Sequence, residues 1–316
     1  MTALDTPPGV VAQRRRRRAI LPAWPPGAPS PFVLLAPLIV AMAAIVGYPF
    51  VQTVVLSLTD ARLLAGFRAS HWVGFENFAY ALTDPEFRAA VLRTVYFAFV
   101  SVGLETLLGV LVALLLNQEF KGRAFCRALL ILPWAIPTIV NALMWRLIYQ
   151  PDFGALNAAL TQLGVLSEYR SWLGDDRAAM NSIIFADVWK NYPLIAMIVL
   201  AALQNVRREL YEAARIEGAN AWDCFRHVTL PVITLPLTIA IILRMIEALK
   251  VFDIVYVMTR GGPANATKTI SFFVYQESFS FNRVGSGASY ALLVVLMAML
   301  LVLIYVRMLN RAEANQ

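Results

Sequence analysis

The chain has 316 residues, of which 59% are hydrophobic and only 15% charged, with a formal charge of +7. A soluble domain is about half apolar and about a quarter charged, so this composition excludes a soluble globular protein and demands lipid contact. The positive charge does not indicate nucleic acid, because the basic residues sit beside the apolar runs, where they report orientation and anionic headgroups.

Residues 1–31 hold the block Arg14 to Arg18 and the Pro-rich stretch Leu21 to Pro31. Neither can bury a core, so the segment reads as a disordered cytosolic arm. The apolar run from Phe32 is longer than the 7–15 residues of a signal-peptide core and is parted from the arginines by prolines, which favours an uncleaved first span. Runs of about twenty apolar residues, enough to cross a hydrocarbon layer of about 30 Å, recur at roughly 32–58, 91–117, 127–149, 179–203, 235–258 and 285–307. The expected fold is therefore an all-α, six-span membrane domain over 32–307 with a tail at 308–316.

Six spans put both termini on one side. Arg14 to Arg18, Lys121, Arg123, Arg127, Arg207, Arg208, Arg215, Arg226, Arg307 and Arg311 all fall on that side, about half of the 27 Lys and Arg. Both termini are thus expected in the cytosol. The outer face then holds loops near 59–90, 150–178 and 259–284, and the inner face loops near 118–126 and 204–234. The two cysteines, Cys126 and Cys224, stand alone without a CxxC or a His cluster, which leaves them as packing residues.

The inner segment 205–231 has helical spacing in its first half. Leu210, Ala213, Ala214 and Ile216 can share one face, leaving Arg207, Arg208, Glu212 and Arg215 wet. Gly218 suits a left-handed C-cap, Asn220 an N-cap for a second short helix, and Pro231 marks entry into the fifth span. A helix, a glycine turn and another helix on the cytosolic surface can bear on a partner and pass a displacement into a membrane helix.

Glu212-Ala213-Ala214, Gly218-Ala219, Phe225 and Leu230-Pro231 resemble the EAA loop of binding-protein-dependent ABC permeases. Further pieces resemble the maltose-type sugar permeases: Val73 to Phe78, Phe120 to Arg123, Leu132 to Pro137, Asp187 to Lys190, and Thr259 to Pro263. The resemblance runs from about Phe32 to Arg307. It departs from the maltose permease itself in having six spans and no large inserted outer domain. It implies a type I importer fold in a bacterial inner membrane, and a loop seated in a cleft of a cytosolic ATPase, with Glu212 against a basic residue there. It also implies several partners: a second permease that is a paralogue of this chain, two ATPase subunits that hold the ATP and Mg, and an external binding protein loaded with a sugar. This chain is expected to bind no cofactor and no metal, and to catalyse nothing.

The fifth span carries Arg244, Glu247, Lys250 and Asp253 at steps of three with alternating sign. A charge at a helix centre costs about 2.5–3.5 kcal/mol to insert, so these four should face protein or water, as an interhelical ion-pair seam or along a solute path. Glu105, Asn141, Asp187, Lys190, Asn191 and Tyr192 are further polar groups in apolar runs, with Trp134 and Trp189 nearby and Pro133, Pro137 and Pro193 interrupting the helices. Hydroxyl-binding polar groups beside flat aromatic faces suit a sugar. By similarity to the maltose permease, the path-lining positions are Trp134, Thr138, Asp187, Lys190, Asn191, Leu194, Arg244, Glu247 and Val251.

Enzyme readings fail on the residues. The nearest approach to a phosphate-cradling G-x-x-x-x-G-K-[ST] is Gly262 to Thr269, which has Thr267 in place of the second glycine. His71 and His227 have no nucleophile or ligand frame around them. The rival class is a proton-coupled secondary transporter with Glu105 and Asp187 as a relay. The long cytosolic loop and the lack of a second six-span half speak against it.

Overall fold

The computed structural model describes residues 31–64 and 70–314, so the N-terminal arm lies outside the described residues except for Pro31. The described chain is helical, with two isolated antiparallel bridges, Thr59 to Trp72 and Arg62 to Arg283. It divides into two units, Met1–Val51 and Gln52–Gln316.

Helix α1, Phe32–Ser57, is one apolar run with a π-helical turn at Ala43–Gly47. In the second unit α2 spans Glu76–Thr83 and α3 Pro85–Asn117. The start of α3 is fixed by Asp84, whose carboxylate accepts from the Glu86 N–H at 2.9 Å, and by Pro85 in the first turn, where no N–H is missed. Next come α4, Arg123–Ala135, α5, Thr138–Ile148, and the short α6, Ala155–Gln162. Helix α7, Asp176–Leu203, is capped by Asp175, which accepts from the N–H groups of Arg177 and Ala178. The Arg170 guanidinium, 2.9 Å away, together with those N–H groups, holds the Asp175 carboxyl below the usual carboxylate range. Helix α8 spans Arg208–Ile216 and α9 Ala221–Leu249. They are followed by α10, Asp253–Met258, α11, Ile270–Tyr275, and α12, Val284–Ala314.

Among the described residues four helices, α1, α3, α7 and α9, are long and apolar enough to cross a membrane. The expected third span is instead broken: α4 and α5 meet at 94°, and together they make up to a fifth crossing. Pro137 is the cause, since it lacks an N–H to continue the ladder and forces Ile136 out of the helical region, to φ −71°, ψ 130°. The expected sixth span falls on α12, whose apolar stretch, Val284–Leu300, is shorter than the other four; the helix itself continues past 307 to Ala314.

The fifth span also differs from expectation at both ends. Its start lies not at 235 but at Ala221, because the second short helix of the inner loop runs through a π-helical turn, Phe225–Thr229, into the span without a break. Pro231 sits just past that turn and marks no boundary. The helix then stops at Leu249, and the residues read as its outer end belong to the separate α10.

Between membrane helices the apolar effect offers no net drive, because lipid is as apolar as a side chain, and close packing takes its place. The α3–α7 seam shows this. Ala98 and Ala113 on α3 and Ala186 and Ala196 on α7 are wholly buried, Gly109 on α3 is buried among them, and a Cβ on Gly109 would stand 2.8 Å from the Ile195 side chain.

Candidate functional site

The centre of the helical body is built on Arg244 of α9. Its Nε donates to Glu105 Oε2 at 2.7 Å and its Nη2 to Glu105 Oε1 at 2.9 Å, a bidentate pair with α3. Nη2 also donates to Asp187 Oδ2 on α7 at 3.1 Å, and Nη1 to Glu247 Oε2 at 2.7 Å. Asn191 Nδ2 donates to the other Asp187 oxygen at 2.9 Å. Glu105, Asp187, Asn191 and Arg244 are all buried, whereas the Glu247 side chain is 62% exposed. Three helices are thus tied through one guanidinium.

This arrangement unites Asp187, Asn191, Arg244 and Glu247, with Lys190 half-buried within electrostatic reach of them. Leu194 and Val251 lie half-buried on α7 and just beyond α9. Trp134, 47% exposed, and Thr138 flank the α4–α5 bend, and neither side chain hydrogen-bonds to the cluster. The expected four-charge seam on the fifth span is not formed. Lys250 follows the last residue of α9 and Asp253 opens α10, both exposed, and neither makes an ion pair among the described residues. Glu105 is the partner that the path positions omit. Its only sequence signal is a full charge in the middle of a long apolar run. Asn141, wholly buried, donates to the Ala186 carbonyl at 3.3 Å, next to Asp187. No group of three His, Cys, Asp or Glu suited to a metal ion occurs among the described residues.

At the other end of α9 lies the inner loop. Helix α8 closes on a left-handed Gly218 at φ +89°, with the Gly218 N–H donating to Arg215 O at 3.0 Å and the Ala219 N–H to Ala214 O at 2.9 Å. These two bonds satisfy the final carbonyls of the helix, and only glycine enters that conformation without strain. Asn220 then caps α9 through a reciprocal box with Asp223. The two helices are joined by Tyr211 Oη and Thr229 Oγ1 at 2.8 Å, and Arg208 pairs with Glu119 of the neighbouring loop.

The outward side of this pair differs from the face expected for α8. Tyr211 and Ala214 turn inward, while Leu210, Ala213 and Ile216 are exposed, Ile216 by 87%. Trp222, 65% exposed, stacks on the half-buried Phe225 at 5.5 Å, and Glu212, Gly218, Leu230 and Pro231 are exposed beside them. At the opposite end of the body, the segments around Phe87 and Phe273 pack together with Tyr290, whose hydroxyl donates to Asp84 at 2.9 Å.

Comparison with known proteins gives these features a family. Residues 105–314 match the family described as binding-protein-dependent transport system inner membrane component. The chain is 37% identical to the trehalose/maltose transport system permease protein MalF of Thermococcus litoralis, over 87% of this chain and 92% of that protein. It is 32% identical to the sulfoquinovosyl glycerol transport system permease protein SmoG of Agrobacterium fabrum, over 89% and 90%. Among solved structures, a bacterial ABC transporter that imports the acidic polysaccharide alginate superposes with a TM-score of 0.76 at 22% identity, covering 89% of this chain and 94% of that one. At that identity the likeness speaks for the fold alone. The chain belongs to the binding-protein-dependent transport system inner membrane components, as a multi-pass permease subunit of an ABC importer rather than an enzyme or a proton-coupled transporter.

Proposed function

We propose that the chain forms one half of the translocation pathway for a sugar in a bacterial inner membrane, with both termini in the cytosol. The observation that carries this reading is the length of α9. From Trp222 to Arg244 the helix rises without a break over roughly 33 Å at 1.5 Å per residue. One end bears the exposed surface of Glu212, Ile216 and Trp222. The other holds the charged cluster beside the proposed path. A push on the inner surface therefore reaches the cluster along one continuous helix, with the π-helical turn at Phe225–Thr229 and Pro236 lying between the two ends.

In this reading two cytosolic ATPase subunits bind ATP and Mg and close beneath the membrane, drawing on the surface formed by Glu212, Ala213, Ala214, Gly218, Phe225, Leu230 and Pro231. A second permease, a paralogue, completes the pathway, and a loaded external binding protein docks on the outer segments near Phe75–Phe87 and Gly262–Phe279. The sugar follows from the two named relatives and from polar groups set beside Trp134 and Trp189. The closing of the ATPases and the opening of the site outward are two faces of one equilibrium, so each partner biases the other. The test is ATP hydrolysis by the reconstituted importer. Adding sugar-loaded binding protein should raise it, and no rise with a confirmed cognate binding protein would reject the import reading.

A further inference from the structure

The charged cluster has one member that the fold does not bury. Glu247 shows 62% of its side chain at the surface, one oxygen held by Arg244 and the other uncommitted. A carboxylate at that depth cannot face hydrocarbon, where it would cost several kcal/mol. Its exposed side therefore looks onto water, onto the solute or onto the partner permease. We propose that Glu247 sets the charge class of the solute, so that this chain passes neutral or amino-bearing saccharides and turns away acidic ones. The inference rests on the sugar-import reading.

The pairing within the cluster supports it. Glu105 and Asp187 are held by Arg244 inside the bundle, and Glu247 meets it from the exposed side. Arg244 cannot receive an anion, since it is buried and four of its five N–H groups are already directed at carboxylates. What remains toward the open side is an acceptor, the free Glu247 oxygen, which takes a hydrogen bond from a hydroxyl, is attracted to an ammonium and repels a carboxylate. In a narrow low-dielectric passage such a charge is worth more than in bulk water.

Leu243 lies one turn before Glu247 on the same face and is exposed, which makes it a reporter position. A Leu243→Cys, Cys126→Ser importer, reconstituted with its partner permease and ATPases, is treated with a cationic and an anionic methanethiosulfonate, each rate normalised to that with a free thiol. The cationic reagent should react faster by about tenfold or more, the scale of electrostatic focusing in a charged cleft. Glu247→Gln should bring the ratio back towards one. Equal rates, a faster anion, or a thiol silent to both reagents would overturn the proposal, the last because the face would not be aqueous. If the Glu247→Gln complex fails to assemble, the ratio in the parent protein decides alone. In the same vesicles, with the binding protein saturated by each, an aldobiuronic acid should enter about tenfold more slowly than its neutral methyl ester. Equal entry of the two would sink the charge rule while leaving sugar import intact, whereas absence of stimulated ATP hydrolysis would sink the import reading itself.

Discussion

Removing the guanidinium of Arg244 is the most informative single change. Arg244→Met keeps most of the side-chain volume but leaves Glu105, wholly buried, and Asp187, nearly so, facing each other with no cation bonded to either. Breaking a buried pair by deleting one partner costs about 3–5 kcal/mol, because the remaining charge is left unsolvated. For a chain of this size that corresponds to a fall in melting temperature on the order of 10 °C. Glu247 contributes little to this sum: it is mostly solvated, and Glu247→Gln should cost less than about 1 kcal/mol. Adding Glu105→Gln and Asp187→Asn to Arg244→Met should recover most of the lost stability, since no buried charge is then unpaired. Melting followed by tryptophan fluorescence, with size-exclusion profiles of the detergent-purified importer, reads both effects. A melting temperature of Arg244→Met within a degree or two of the parent would refute the idea that this cluster holds α3, α7 and α9 together.

Four further outcomes are expected. Gly218→Val meets no steric clash, since open space surrounds the position, but it forces a β-branched residue to φ +89°; uptake should be lost with insertion intact, and full uptake at normal expression would reject a coupling role for the loop. Glu212→Lys should likewise lose uptake and loosen the ATPases, with partial recovery by a reversed charge on the ATPase. Trp134→Ala and Asn191→Ala should each weaken uptake at limiting sugar without releasing the ATPases, and normal uptake by both would move the solute contacts elsewhere. Reporters near Gly122 and after Gln316 should read cytosolic, and those near Asp152 and Asn265 external, a cytosolic reading at Asp152 being incompatible with the proposed topology.

Most of the helices were legible in the sequence because apolar length and local caps act within a few residues. Asn220 and Gly218 form the expected cap and turn, since each needs only its immediate neighbours. The bend between α4 and α5 also had a local signal in Pro137, although the apolar stretch across it has the length of a single span. Nothing comparable marks the end of α9. Lys250, Val251 and Phe252 include no glycine or proline, and the helix breaks there for tertiary reasons, so charges that line up on paper are separated in space. The pairing of Arg244 with Glu105 was illegible for a different reason. It joins residues 139 apart, and no periodicity reaches that far. The outward turn of Leu210 and Ile216 is a third case, because helical spacing defines an apolar face without saying whether this chain or another one covers it.

The same distance bears on how the protein is made. At about 5–20 residues per second, Glu105 is synthesised some 7–30 s before Arg244 leaves the ribosome, and Asp187 also precedes its partner. During that interval Glu105, and later Asp187, sit in newly inserted helices before Arg244 can meet them. They must be protonated, kept near water at the translocation channel, or shielded by an insertase until the fifth crossing arrives. Nascent chains halted before residue 244 should therefore be poor at leaving that channel and prone to degradation, while chains extended through α9 should be released as a stable bundle.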